Sequence, residues 1–257
     1  MEESYIKINQ IRDISVENFV FSQIRSSVDR KGVKLQYSHS SNGKFVPNPR
    51  ELEYNDKQTE KTLDFYTQLP KVESPFGIKY FKDQPDKVYL DISIQSEEVI
   101  KKIMEIDEYI KHTALINSKL WFGHENKDSI QYSHSIYQNT KGSEVVYPPT
   151  FRLKFVKHNG KFVTTAFESG DKGFEPIDLD NGGFNKFGKK VNVIPIIQCI
   201  GIWILKDKKT GIDKYGLDWR LFQVMTVKPK KMNTIKRCLI SSDTEESEEE
   251  ESDINFV

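Results

Sequence analysis

Apolar and polar residues alternate along much of this chain. Between 88 and 94, Val88, Leu90, Ile92 and Ile94 interleave with Tyr89, Asp91 and Ser93, the period-2 pattern of a strand with one buried face. Weaker runs of the same kind predict strands at 16–24, 33–37, 62–69 and 76–81, and residues 42–56, with Gly43, Pro47 and Pro49, read as a loop. After Ile94 the period changes. Val99, Ile103, Ile106 and Ile110 recur at i, i+4, i+7 and i+11 with Ile100 beside them, while Lys101, Lys102, Glu105 and Glu108 fall opposite. Ser96 stands where an N-cap is needed, and Glu97 and Glu98 suit the positive end of the helix dipole. This predicts one principal helix over about 96–118.

Residues 119–149 have no clear period, although Trp121, Phe122, Tyr132, Tyr137 and Tyr147 lie there. Alternation returns at 150, with Phe151, Leu153 and Phe155 on one side and Arg152 and Lys154 on the other. The Asn159-Gly160 turn then predicts a hairpin over 150–167. A Gly-rich connection follows at 171–190, carrying Phe174, Phe184 and Phe187. The run 191–205 reads as a long strand, with Ile194, Ile196, Ile200, Ile202 and Ile204 on the expected core face and Ile197, Gly201 and Trp203 opposite. Pro195 and Gly201 mark edges, bulges or bends. A turn at 207–215 leads to a closing strand at 217–227, where Trp219 and Leu221 are expected inward and Arg220 outward. Short strands interrupted by one helix predict a mainly β fold with one principal helix: an OB-type barrel with extensions, though periodicity alone fits other β folds as well. The expected organisation is an N-terminal β-rich extension at 1–75, packed on or part of the barrel, a core at 76–228, and a basic linker with a disordered acidic tail at 229–257.

Charge changes this picture. The 38 basic and 38 acidic residues cancel, but the eight acids of 241–257 are accompanied by no Lys or Arg. Without them, 30 acids face 38 basic residues, so the body carries about +8 and favours a polyanionic partner. Aromatics reach 12%, enough for a core and for base stacking. Cys199 sits in an apolar run and reads as a small buried hydrophobe, and with Cys238 it makes no disulfide framework. The N-terminus does not read as a secretory signal, and no apolar stretch approaches the ~20 residues of a membrane helix. A soluble intracellular protein is expected. Phosphate-loop, nucleophile-elbow and zinc-protease motifs are absent, and His39, His112, His124, His134 and His158 are scattered. The expectation is a non-enzymatic binding protein with no metal and no cofactor.

The candidate binding residues follow from these patterns. Arg152 and Lys154 project from one strand face and can track phosphates. Trp203, beside Gly201 and opposite the expected core face, is a candidate stacking platform. Lys189 and Lys190 precede that strand, and Arg220 lies outward on the closing one. The acid run ends in Asp253, Ile254, Asn255, Phe256 and Val257. Apolar residues displayed after a charged segment suit a docking peptide. The acids offer an internal competitor for a basic groove.

At these residues the chain resembles the replication single-stranded DNA-binding proteins of T-odd podophages and their relatives in nucleocytoplasmic large DNA viruses. The resemblance covers roughly 75–257. It rests on Lys87-Val-Tyr-Leu-Asp-Ile-Ser-Ile leading into the helix, on Thr150-Phe-Arg-Leu-Lys-Phe, on 188–203 followed by 215–227, and on the acidic tail with its aromatic. It implies an OB barrel with an inserted helix, single-stranded DNA in a basic, aromatic groove with Lys154 as a DNA contact, and a tail that contacts polymerase, helicase or primase. Roles in replication, recombination and repair would follow, in the host cytoplasm or a viral replication compartment, with a homodimer left open. The competing reading is an acidic-tailed interaction or chaperone module without specific nucleic-acid binding.

Overall fold

Sixteen strands and a long helix organise the residues that the computed structural model describes, which are 8–26, 31–38, 62–81, 84–141, 144–170 and 173–227. The expected loop at 42–56, the linker and the acidic segment with Asp253, Ile254 and Phe256 lie outside them. The N-terminal part supplies β1 (Ile8–Gln10), β2 (Phe19–Ser26), β3 (Lys31–Ser38), β4 (Thr62–Gln68), β5 (Val72–Ser74), β6 (Ile78–Phe81) and β7 (Gln84–Ser93). Helices α1 (Glu97–Ile116) and α2 (Ser118–Phe122) follow. The remainder is β8 (Ile130–Ser133), β9 (Ile136–Lys141), β10 (Glu144–Phe155), β11 (Lys157–His158), β12 (Lys161–Phe162), β13 (Thr165–Gly170), β14 (Gly173–Ile177), β15 (Val191–Lys206) and β16 (Asp213–Val227).

Two long strands hold the rest. β15 pairs antiparallel with β16 along one edge, and its other edge is taken in turn by β5, β4 and β3. β16 likewise gives its second edge in parallel to β8, β10 and β13. Because β5 also pairs with β7, and β7 with β10, the circuit β5–β7–β10–β16–β15 closes on itself. That is a five-stranded OB-type barrel with further strands outside it, and closure removes the exposed edges an open sheet would leave. The barrel interior is apolar: Leu90, Ile92, Leu153, Phe155, Ile197 and Leu221 are fully buried. Each such side chain contributes roughly 1.5–3 kcal/mol of transfer free energy.

The helix forms where its stripe and cap require. Ser96 Oγ accepts from the Val99 N–H at 3.4 Å, and Val99, Ile103, Ile106 and Ile110 are buried. On the same buried face Asp107 accepts hydrogen bonds from Tyr132 Oη (2.8 Å), Ser135 N (2.8 Å) and Ser135 Oγ (2.6 Å). Trp219 Nε1 donates to that Ser135 Oγ at 2.9 Å. One acid thus ties α1 to the segment before β9 and to the core of β16.

Residues 119–149, which show no clear period, hold α2, β8, β9 and the start of β10, each too short or too edge-bound to impose one. Two expectations require correction. The Asn159-Gly160 turn forms, both residues with positive φ, but it joins only the two-residue strands β11 and β12. Thr165 onward leaves to pair with β16 instead of returning to β10. In β15 the odd positions 193, 195, 197 and 199 point inward until the register shift between Cys199 and Ile202 hands the inward face to Ile202 and Ile204; the other shift, at 196/197, is taken up by an extra residue in β16. Ile197 and Cys199 are buried, whereas Ile194, Ile196 and Ile200 are half-exposed. The shift between Cys199 and Ile202 centres on Gly201, at φ +154°, where a Cβ would stand 2.2 Å from the Val33 carbonyl oxygen. Only glycine lets β3 approach this closely.

Candidate nucleic-acid interface

The outward positions of β10, β16 and β15 form a continuous surface. In the β10–β16 pair Lys154 stands opposite Arg220, and in the β10–β7 pair it stands opposite Tyr89. In the β15–β16 pair Trp203 stands opposite Gly216. Gly216 has no side chain, so the indole lies directly over its backbone: a Cβ there would come within 3.0 Å of the ring. Trp203 is half-buried by this seat and keeps surface for a ligand.

Two clefts meet at this ring. One, of about 300 Å³, is lined by Lys87, Tyr89, Tyr137, Arg152 and Lys154 together with Trp203. The other, of about 580 Å³, is lined by Arg25, Lys31, Lys34 and Arg220 together with Trp203. Asp218 borders both. An indole with cations on either side can stack a base while the cations take the flanking phosphates. Arg220 reaches Asp218 with one terminal nitrogen at 3.3 Å, and its buried Nε has no hydrogen-bond partner among the described residues.

The electrostatics of β10 are less simple than its sequence. Arg152 is bidentate on Asp91, at 2.8 and 3.1 Å, and Lys79 Nζ meets the same carboxylate at 2.5 Å. Burial by itself would raise the Asp91 pKa, but the hydrogen bonds from Arg152 and Lys79 outweigh it and hold the carboxyl below its ordinary value. The bond to Asp91 in turn pushes the Arg152 guanidinium up. Asp107 behaves oppositely: burial raises its pKa despite the hydrogen bonds from Ser135 and Tyr132.

The fold therefore brings Arg152, Lys154, Trp203 and Arg220 onto one surface. Lys189 and Lys190 do not join them. They are exposed at the opposite end of β15, about 40 Å along the strand from Trp203, and the Lys190 N–H is held by the Ser74 carbonyl at 2.8 Å. Arg25, Lys31 and Lys34 were not among the sequence candidates. Their signal was the outward position of Lys34 between the buried Val33 and Leu35, but nothing in the sequence placed β3 beside Trp203. Tyr89 was legible as an outward residue of the clearest strand.

Among the described residues no group of three or more His, Cys, Asp or Glu side chains is placed to hold a metal ion, and no described helix is long and apolar enough to cross a membrane. No family model matches the chain, and no curated protein matches it. Among solved structures it is similar to a C-terminal truncation of the single-stranded DNA-binding protein from bacteriophage Enc34, with TM-score 0.40 and 10% identity over 84% of this chain and 99% of that one. It is also similar to gp2.5, a single-stranded DNA binding protein encoded by bacteriophage T7, with TM-score 0.39 and 11% identity over 66% of this chain and 89% of that one.

Proposed function

We propose that this chain binds single-stranded DNA across the outer surface of its barrel, as a non-enzymatic component of viral DNA replication, recombination or repair. The observation that carries the reading is Trp203, seated on Gly216 between two clefts whose other walls are cationic. Unpaired bases present their π faces to such a ring, and stacking is worth about 1–3 kcal/mol per base. In a duplex those faces are already stacked, so the same surface favours a single strand. Residues 76–228, completed by β5 and by the cationic wall that β2 and β3 bring to Trp203, act as the binding core. The acids of 243–253 compete with DNA for the cations, and Ile254 and Phe256 dock a replication partner when DNA displaces them.

A salt titration tests the reading. Affinity for a labelled oligonucleotide is measured from low to high salt for the full chain, for Lys154→Ala, for Lys31→Ala, and for a chain lacking 241–257. Removing one phosphate-binding cation lowers the log–log salt slope by about 0.7, so both single variants bind more weakly and with flatter slopes. The shortened chain binds more tightly, most clearly at low salt. Duplex DNA binding as well as the single strand, or both lysine variants keeping the parent slope, would overturn the proposal.

A further inference from the structure

Five aromatic side chains are strongly exposed among the described residues: Phe76 (46%), Tyr80 (59%), Phe81 (41%), Tyr137 (49%) and Phe174. Four of them, all but Phe174, belong to β6, the turn before it, and β9. Single exposed aromatics need no explanation, but a cluster marks a contact surface. Cations are threaded through this one. Lys79 Nζ lies 4.6 Å from the Phe76 ring centre. The Arg152 guanidinium lies 5.7 Å from Phe81, 5.9 Å from Tyr89 and 5.9 Å from Tyr137.

Arg152 occupies the middle of these three rings because Asp91 holds it there with two hydrogen bonds. Asp91 is buried, at 3% exposure, and also holds Lys79. The triad fixes the rings around a rigid hub and leaves one net positive charge beside them. Phe81 and Tyr89 stand edge to face at 5.3 Å, which further restricts their orientation. The cleft that Tyr89, Tyr137 and Arg152 line is also lined by Trp203. This continuity with a cationic cleft favours nucleic acid over a protein partner as the occupant.

We infer that Phe81 and Tyr137, positioned by Arg152, form a second base-stacking platform, so that one single strand is gripped at two separate points. The inference rests on the proposed groove. From Trp203 on β15 the path to Phe81 crosses β16, β10 and β7 to β6, four inter-strand steps of about 4.8 Å, or ~19 Å across the strands before any offset along them is added, while Tyr137 stands nearer, on β9 beside β10. At the 3.4 Å spacing of a stacked strand the span to Phe81 is at least about six nucleotides. Arg152 is then a positioning residue rather than a phosphate ligand, since the bidentate bond from its Nε and Nη2 to Asp91 fixes its orientation and offsets its charge.

Three variants are compared on oligothymidylates of three and of twelve nucleotides, after circular dichroism and thermal melting confirm that each is folded. Phe81→Leu/Tyr137→Leu keeps apolar bulk but removes the π faces. It is expected to lose roughly 5- to 150-fold for each stacked base on the twelve-mer, and to match the parent on the three-mer, which cannot bridge both points. Trp203→Ala is expected to lose affinity on both lengths. Arg152→Gln is expected to weaken twelve-mer binding without the change of about 0.7 in salt slope that removing a phosphate ligand gives. Parent-like twelve-mer binding by the Leu/Leu variant overturns the platform and assigns the patch to a protein partner; equal loss on both lengths overturns it too. Loss on the twelve-mer by the Leu/Leu variant while Trp203→Ala binds normally would leave the platform standing and remove the groove centre at Trp203.

Discussion

Replacing Trp203 by alanine removes the indole from the point where the two clefts meet. A fully buried Trp→Ala change costs about 3–5 kcal/mol of stability. Trp203 is only half-buried, and much of its burial is against Gly216, whose backbone remains, so the loss of stability should be nearer ~2 kcal/mol. The loss in binding is set separately by stacking, at about 1–3 kcal/mol for one base, or roughly 5- to 150-fold in Kd. Fluorescence distinguishes the two effects. Trp121 and Trp219 are 2% and 5% exposed, so iodide reaches the indole of Trp203 and is excluded from the others. In the parent protein an oligonucleotide should protect the quenchable fraction in proportion to occupancy. In Trp203→Ala that fraction should be absent while anisotropy of a labelled oligonucleotide reports the weakened binding. If iodide quenching is unchanged at saturating oligonucleotide, or if folded Trp203→Ala binds with the parent Kd, the ring does not stack a base and belongs to the packing of β15 on β16.

Two further predictions concern buried acids. Asp107→Ala leaves Tyr132 Oη, Ser135 N and Ser135 Oγ without their shared acceptor; at roughly 1 kcal/mol or more per stranded donor, about 3 kcal/mol of stability should be lost in urea unfolding, with Asp107→Asn losing less. The acids should also oppose each other in pH dependence. The folded-state pKa of Asp91 is depressed, so its contribution is present above about pH 4 and is lost as pH falls through the folded value. That of Asp107 is raised, so its contribution is full below about pH 4 and is lost as pH rises through the folded value. Unfolding midpoints between pH 2 and 7 should therefore change least with pH below 4 in Asp91→Asn, and least above 4 in Asp107→Asn; like changes in both variants would refute the assignment.

What the sequence made legible depended on how local each interaction is. The helix could be read because Val99, Ile103, Ile106 and Ile110 answer to one axis and Ser96 caps its own turn. The outward placement of Arg152, Lys154 and Arg220 could be read because their neighbours 151, 153, 155, 219 and 221 are buried by alternation. The inward set of β15 could not, because the shift at Gly201 reverses its parity and an isoleucine is equally at home on either side; Gly201 marked that a bulge was there but not which half of the strand kept which face. The Asn159-Gly160 turn was visible, but pairing of Thr165–Glu168 with Gln223–Thr226 depends on residues nearly sixty positions away. The site shows the same limit. Trp203 was legible as an outward ring, whereas the cations of β3 reach it through pairing of Gly201–Ile204 with Lys31–Lys34. The use of Arg152 by Asp91 is a cross-strand event at a single register position, which no pattern within one strand reports.

The dependence of β3, β4 and β5 on β15 has a consequence for how this chain is made. Gly201 pairs with Lys34 and Ile196 with Gln68, so these strands wait through well over a hundred residues of synthesis before their partner exists. At about 5–20 residues per second, that is roughly 6–33 s on the ribosome. In that interval β2, β3 and β4 can zip into a local antiparallel meander, but the edges that β15 will cover stay open to any other strand nearby. A high contact order of this kind slows folding and prolongs exposure to aggregation. Closure of the barrel is therefore an event of late translation, and a nascent chain stalled before residue 191 presents sticky, half-made sheet to the cell for as long as the stall lasts.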